Sequence, residues 1–305
     1  MKLDQELFGA TFQNPVLLAS GTCGYGEEFD RLLDIDGLGG LVTKAVTVEP
    51  RAGNASPRVA EFDGVMLNSI GLANVGLEAF RQEKLPWLAN RLKRARVLVN
   101  VAGRSPDEYA CIVRTLDAAD GFVGFELNVS CPNVKEGGAV FSARESLLDE
   151  VVRAARGATI RPIIVKLAPN VPDIGRMAEV AVAAGADALS LVNTFPGLLF
   201  DVVTRRPVLG AVSGGVSGPG ILPMGVHAVW QARGRVDVPI IGIGGIRTAD
   251  DAVQYLLAGA SLVQIGTASF ADPRAALRVL FGLRRFGEAN GVADIRELVG
   301  AGHPA

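Results

Sequence analysis

The 305-residue chain is 49% hydrophobic and 20% charged, with 37 Gly and 16 Pro. That composition supports a large core and excludes both a disordered chain and a disulfide-stapled mini-protein. Thirty basic residues against 32 acidic ones leave a formal charge of −2, so no global basic field exists to attract nucleic acid or an anionic membrane.

In chain order, the first twelve residues carry Asp4 and Glu6 where a signal peptide needs an apolar run. No later stretch reaches the roughly 18 apolar residues of a membrane span, and the expectation is a cytoplasmic protein. Short β-branched runs then recur at 15–21, 40–46, 96–103, 122–130, 162–169, 188–194, 239–245 and 262–267. They are apolar almost throughout, as parallel strands buried on both faces require.

Helical periodicity fills most of the gaps. Residues 105–119 open with Ser105 as an N-cap, Pro106 at the first helical position and Glu108 three residues past the cap. Residues 171–186, 248–260 and 273–291 follow the same style, and Gly185, Gly259 and Gly291 supply their stops. Alternating strands and helices specify either a (β/α)8 TIM barrel or a doubly wound sheet.

The polar residues favour the barrel. Ser20, Lys44, Asn100, Asn128, Lys166, Asn193, Gly244 and Gly266 stand at or near the carboxyl ends of their strands. A barrel gathers all eight ends round one pocket, whereas an open sheet focuses only two or three. The expectation is one domain over residues 1–305. Two extended loop excursions, 47–75 and 195–223, lie at its C-terminal face, the second with an extended piece on each side of an Arg205–Pro207 turn.

The last two strands carry a cofactor signal. Gly244–Gly245 and Gly266–Thr267 are bare-backbone turns where barrels commonly hold a phosphate. The dinucleotide spacing is missing, so a cofactor with one phosphate is expected. Lys44 and Lys166 each end a buried strand, either paired with a core carboxylate or stabilising charge on a reduced ring or a substrate carboxylate.

Cys131 follows strand residues Asn128 to Ser130 and precedes Pro132. The only histidines, His227 and His303, are not at strand ends. A Cys–His nucleophile pair and a metal site are therefore unsupported, which leaves Cys131 as a proton acceptor. Cys111 reads as a small buried helix residue, and Cys23 stays open. With only 3 cysteines the chain cannot house an iron–sulfur cluster. Asn68, Asn100, Asn128, Asn133 and Asn193, the last followed by Thr194, suit a planar ring of alternating N–H and C=O groups, such as a pyrimidine.

These blocks together resemble one family. SGTCGYG, TKAVT, PRAGN, MLNSIGLANVG, NVSCPNVKEGG, VKLAPN, LVNT, GGVSGPG, GIGGI and QIGT, spread over about residues 3–290, are similar to the class 1B catalytic subunits of dihydroorotate dehydrogenase. The resemblance implies an FMN-holding barrel that oxidises dihydroorotate to orotate in pyrimidine synthesis. By it, Ser20, Lys44, Ala45, Asn100, Asn128, Lys166, Val192, Gly218, Gly244, Gly245, Gly266 and Thr267 would contact FMN. Lys44, Asn68, Ser69, Ile70, Gly71, Leu72, Asn128, Asn133, Asn193 and Thr194 would hold the pyrimidine, and Cys131 would be the base.

The same resemblance implies a second subunit carrying FAD and a [2Fe–2S] cluster, which passes electrons to NAD+. It also implies a homodimer core within a heterotetramer. The rival readings are a flavin barrel acting on dihydrouracil, a class 1A fumarate-dependent enzyme and a non-catalytic phosphate-binding barrel. Two departures from the family pattern are Cys23, where an aromatic residue is usual, and LANVG in place of LQNPG.

Overall fold

A computed structural model of the chain describes residues 1–129 and 144–304. Eight parallel strands close into a barrel. In chain order they are β3 (Val16–Leu18), β4 (Gly40–Val42), β7 (Arg96–Val101), β8 (Gly124–Asn128), β9 (Ile163–Lys166), β10 (Ala188–Leu191), β15 (Ile240–Ile243) and β16 (Leu262–Ile265), which pairs back onto β3. Each lies within one of the eight runs expected from sequence. The (β/α)8 TIM barrel is therefore the observed architecture.

Strand alternation sorts the apolar residues into two bodies. Leu17, Val42, Leu98, Ile164, Ala188, Ile241 and Leu262 form one buried cluster inside the barrel. Their neighbours one residue along, such as Leu18, Leu41, Val97, Val165, Leu189 and Val263, belong to the larger cluster shared with the helices. A two-residue step along each inward-facing row is what decides the site. From Leu98, Ile164, Ala188 and Leu262 it leads to Asn100, Lys166, Ser190 and Gln264, all buried.

The barrel's other end is plugged by an antiparallel hairpin of β1 (Gln5–Leu7) and β2 (Ala10–Phe12). Phe12 is fully buried in the inner cluster, and Phe8 meets it edge-on at 5.9 Å between ring centroids.

The two excursions are one structure. β5 (Val59–Phe62) and β6 (Val65–Asn68) come from the first, and β11 (Phe195–Gly197) and β14 (Gly214–Ser217) from the second. They make a single antiparallel sheet in the order β11-β14-β6-β5, with Asn68 opposite Gly215. Between β11 and β14 a hairpin of β12 (Phe200–Asp201) and β13 (Arg206–Pro207) stands apart. Its turn is at residues 202–205, not at Arg205–Pro207 as expected. Asp201 accepts from the backbone N–H groups of Val203 and Thr204, which closes the chain earlier and leaves Pro207 paired with Phe200.

Helix ends follow the chemistry of their caps. Ser105 accepts from Glu108 N at the start of Pro106–Asp117, and Thr248 with Asp251 forms a capping box on Ala249–Leu257. The helix Ala275–Asn290 ends at Gly291 in the left-handed conformation. Cys111 is exposed, contrary to expectation. The buried face of its helix is made by Tyr109, Ile112, Val113 and Leu116, and position 111 turns away from it. Among the described residues no helix is long and apolar enough to cross a membrane.

Candidate active site

The carboxyl ends of the barrel strands open into a pocket of about 1340 Å³, its mouth included. Its wall contains Ser20, Lys44, Ala45, Asn100, Asn128, Lys166, Val192, Gly218, Gly244, Gly245, Gly266 and Thr267. Asn68, Ile70, Gly71, Leu72, Asn193 and Thr194 line the same cavity. Ser69 does not: it is fully buried, its N–H donates to Arg58 O, and its carbonyl accepts from Asn54 Nδ2. Cys131 and Asn133 lie outside the described residues.

The floor is polar because the inward rows of several strands turn polar at the same height. Glu126, fully buried, accepts from Asn100 Nδ2 at 2.7 Å, Ser190 Oγ at 2.8 Å and Gln264 Nε2 at 2.8 Å. Lys166 Nζ stands 3.9 Å from Glu126 Oε1 and donates to Ser20 Oγ at 3.2 Å. Lys166 is thus paired with a core carboxylate, as one of its two sequence readings has it, and it also lines the cavity. Lys44 has no hydrogen bond or ion pair among the described residues beyond its backbone bond to Gly24 O. It lines the cavity as a cation without a counter-charge among the described residues.

The side wall comes from the excursions. Gly71 and Leu72 take φ of 74° and 56°, the second unusual for a branched side chain. Asn74 holds this bend by donating to Leu72 O at 2.7 Å and to Thr47 Oγ1 at 2.8 Å. Asn193 Nδ2 donates to Asn128 Oδ1 at 3.3 Å, and Asn193 Oδ1 accepts from Thr194 N at 2.8 Å. Tyr109 Oη donates to the Asn128 carbonyl at 2.9 Å, anchoring β8 where it leaves the barrel.

The far end suits an anion. The backbone N–H groups of Gly244, Gly245, Gly266 and Thr267 make no hydrogen bond among the described residues. Gly245 has φ of 77°, and a Cβ there would meet Leu222 at 2.7 Å, so only glycine turns the chain this way. The Arg247 guanidinium, also on the wall, has no partner among the described residues. Its position just past the Gly-Gly turn was the available signal in the sequence. Phe270, Met66 and Val59 add apolar wall that strand patterning did not reveal.

A flat ring system with one phosphate fits this donor set. Asn100 Oδ1 is buried without a hydrogen-bond partner among the described residues and would accept from a ring N–H. Lys44 and Lys166 line the cavity and would meet charge on a ring, and the free N–H groups of the glycine turns would hold a phosphate. Cys23, left open by sequence, is buried; its thiol points at Ala19 O and Val42 O, and burial pushes its pKa up to about 12. That thiol is inert packing. Among the described residues no group of three His, Cys, Asp or Glu is placed to hold a metal ion.

Comparison with known proteins gives a consistent result. The family model described as dihydroorotate dehydrogenase matches residues 2–286. The chain is 49% identical over 299 residues to the dihydroorotate dehydrogenase B (NAD(+)) catalytic subunit of Geotalea uraniireducens, covering 98% of this chain and 97% of that protein. The protein of the same name from Geobacter sulfurreducens is 48% identical with the same coverage. Among solved structures, a DHODH from Eimeria tenella in complex with ferulenol superposes with a TM-score of 0.83 at 25% identity, covering all of this chain and 89% of that one.

Proposed function

The chain belongs to the dihydroorotate dehydrogenase family, and from that premise we propose that it is the catalytic subunit of an NAD+-linked enzyme oxidising dihydroorotate to orotate in pyrimidine synthesis. The observation that carries the reading is the Lys44 ammonium, unpaired among the described residues, which lines the same cavity as Asn68, Asn128 and Asn193. A cation among amides matches a substrate that is a carboxylate-bearing pyrimidine. Dihydrouracil has no carboxylate to answer it, and neither that substrate nor a fumarate-dependent route is favoured.

FMN is the cofactor that these residues fit. Ser20, Lys44, Ala45, Asn100, Asn128, Lys166, Val192 and Gly218 would hold its ring and chain, and Gly244, Gly245, Gly266 and Thr267 its phosphate. Bound FMN supplies the acceptor for the hydride that leaves C6 of the substrate. Cys131 takes the C5 proton as its thiolate, so that a C5–C6 double bond remains. Lys44, Asn68 and the Ile70–Leu72 bend, with Asn128, Asn193 and Thr194, orient the pyrimidine; Asn133 joins them. Ser69 serves through its backbone, keeping the bend fixed.

The name that the relatives carry, a catalytic subunit, supports a separate electron-transfer partner. We assign that partner the FAD and the [2Fe–2S] cluster for which this chain has too few cysteines, and the NAD+ site. Phe200, Val202 and Val203 are exposed on the β12–β13 hairpin, which supports an assembled state, a homodimer core within a heterotetramer. Anaerobic mixing of the purified protein with dihydroorotate should bleach the flavin absorbance. Absence of flavin, or bleaching by dihydrouracil and not by dihydroorotate, would overturn the reading.

A further inference from the structure

Among the described residues Glu126 is the one fully buried carboxylate of the barrel interior, and the chemistry above gives it no part. Its surroundings are unusual in being made only of donors and a cation: Asn100 Nδ2, Ser190 Oγ, Gln264 Nε2 and the Lys166 ammonium. A carboxylate accepts and cannot donate. Each side-chain amide beside it must therefore turn its NH2 inward and its oxygen away. That is the arrangement seen, because Asn100 Oδ1 and Gln264 Oε1 are both buried and without partners. Of the two, Asn100 lines the cavity.

We propose that Glu126 is a positioning residue that sets both the hydrogen-bond polarity and the charge of the pocket floor. It fixes Asn100 as an acceptor toward the bound ring, and it offsets the Lys166 cation, so that of the two strand-end lysines Lys44 alone acts as an uncompensated positive charge. The inference rests on the reading that the pocket holds FMN. A ring held against Asn100 would gain negative charge when reduced, and the carboxylate hydrogen-bonded to Asn100 from beneath opposes that gain. Glu126 thus keeps the flavin's potential low, which eases passage of electrons onward to the partner.

Glu126→Gln removes the charge at nearly constant volume, and its new NH2 must face one of the existing donors. The readout is the two-electron equilibrium of the bound flavin against a dye of known potential, with flavin content measured first by absorbance. The substitution is expected to shift that equilibrium at least tenfold toward the reduced form, about 30 mV upward for a two-electron couple. A smaller shift, or one in the opposite direction, overturns the proposal while leaving the FMN reading intact. Wild-type protein that binds no FMN overturns the FMN reading instead.

Removing one member of a buried pair can prevent folding. Where Glu126→Gln yields no folded protein, the same substitution is read against Lys166→Met. The double variant leaves no unpaired charge on the floor, and its flavin equilibrium must again lie at least tenfold further toward reduction than that of Lys166→Met alone. A merely structural role for Glu126 would alter melting temperature in both backgrounds and leave this equilibrium where it was.

Discussion

Tyr255 Oη lies 2.8 Å from the carbonyl oxygen of Gly244 and 2.9 Å from that of Ile243. The ring reaches them through a slot lined by glycine, since a Cβ at Gly242 would fall 2.3 Å from it and one at Gly225 would collide with the hydroxyl. By engaging both carbonyls from behind, Tyr255 leaves the N–H groups of Gly244 and Gly245 for the cavity. Tyr255→Phe should keep the fold and the ring packing. It should weaken FMN binding about tenfold, a loss of about 1.4 kcal/mol. Titration of the apoprotein with FMN measures this, and unchanged affinity would remove Tyr255 from the cradle.

Lys44 is expected to act on substrate and flavin together, because nothing in the described structure neutralises it. Lys44→Met should lower kcat/KM for dihydroorotate by on the order of 10²–10³-fold. A loss below tenfold in steady-state assays would deny it a role in holding charge.

Cys131→Ala should retain FMN and nearly abolish turnover, if Cys131 is the sole base. Wild-type turnover should rise with pH as the thiol ionises, around its ordinary pKa of about 8.5 unless the site lowers it. A profile flat from about pH 6 to 9 would point to another base.

Away from the site, Asp36 holds the chain just ahead of β7. Its Oδ1 accepts from the backbone N–H groups of Lys93, Arg94 and Ala95 at 2.8–3.0 Å. Burial pushes its pKa up, but these three bonds and the Arg94 guanidinium outweigh it and hold the carboxyl below the usual range. Because the folded pKa is the lower one, the stabilisation is complete above the unfolded value near ~3.9 and fades as pH falls through the folded value. Asp36→Ala should cost about 2–4 kcal/mol at pH 7. In urea unfolding the gap from wild type should narrow below about pH 4, and a constant gap would reject the assignment.

The barrel was legible because its strands announce themselves locally: each apolar run ends in a glycine or a polar residue, and the helix caps at Ser105 and Thr248 are short-range signals. The site residues read from strand ends converge for the same reason; of the described residues added by the family resemblance, Ser69 alone does not line the cavity. What could not be read is set by distant pairing. Asn68 meets Gly215 across 147 positions, and Glu126 gathers partners 26, 64 and 138 residues away. A lone Glu inside β8 looks like an ordinary interruption until Ser190 and Gln264 arrive beside it. Arg247 is similar, its reach into the cavity depending on how the Gly244–Gly245 turn aims the chain.

The shared sheet of β6 and β14 has a consequence for redesign. Since residues of both excursions form one hydrogen-bonded wall, neither can be exchanged for that of another barrel on its own. A graft of the first without the second would leave β6 paired with β5 alone and its backbone groups facing β14 without mates, so new substrate preferences have to be transplanted as a matched pair of inserts.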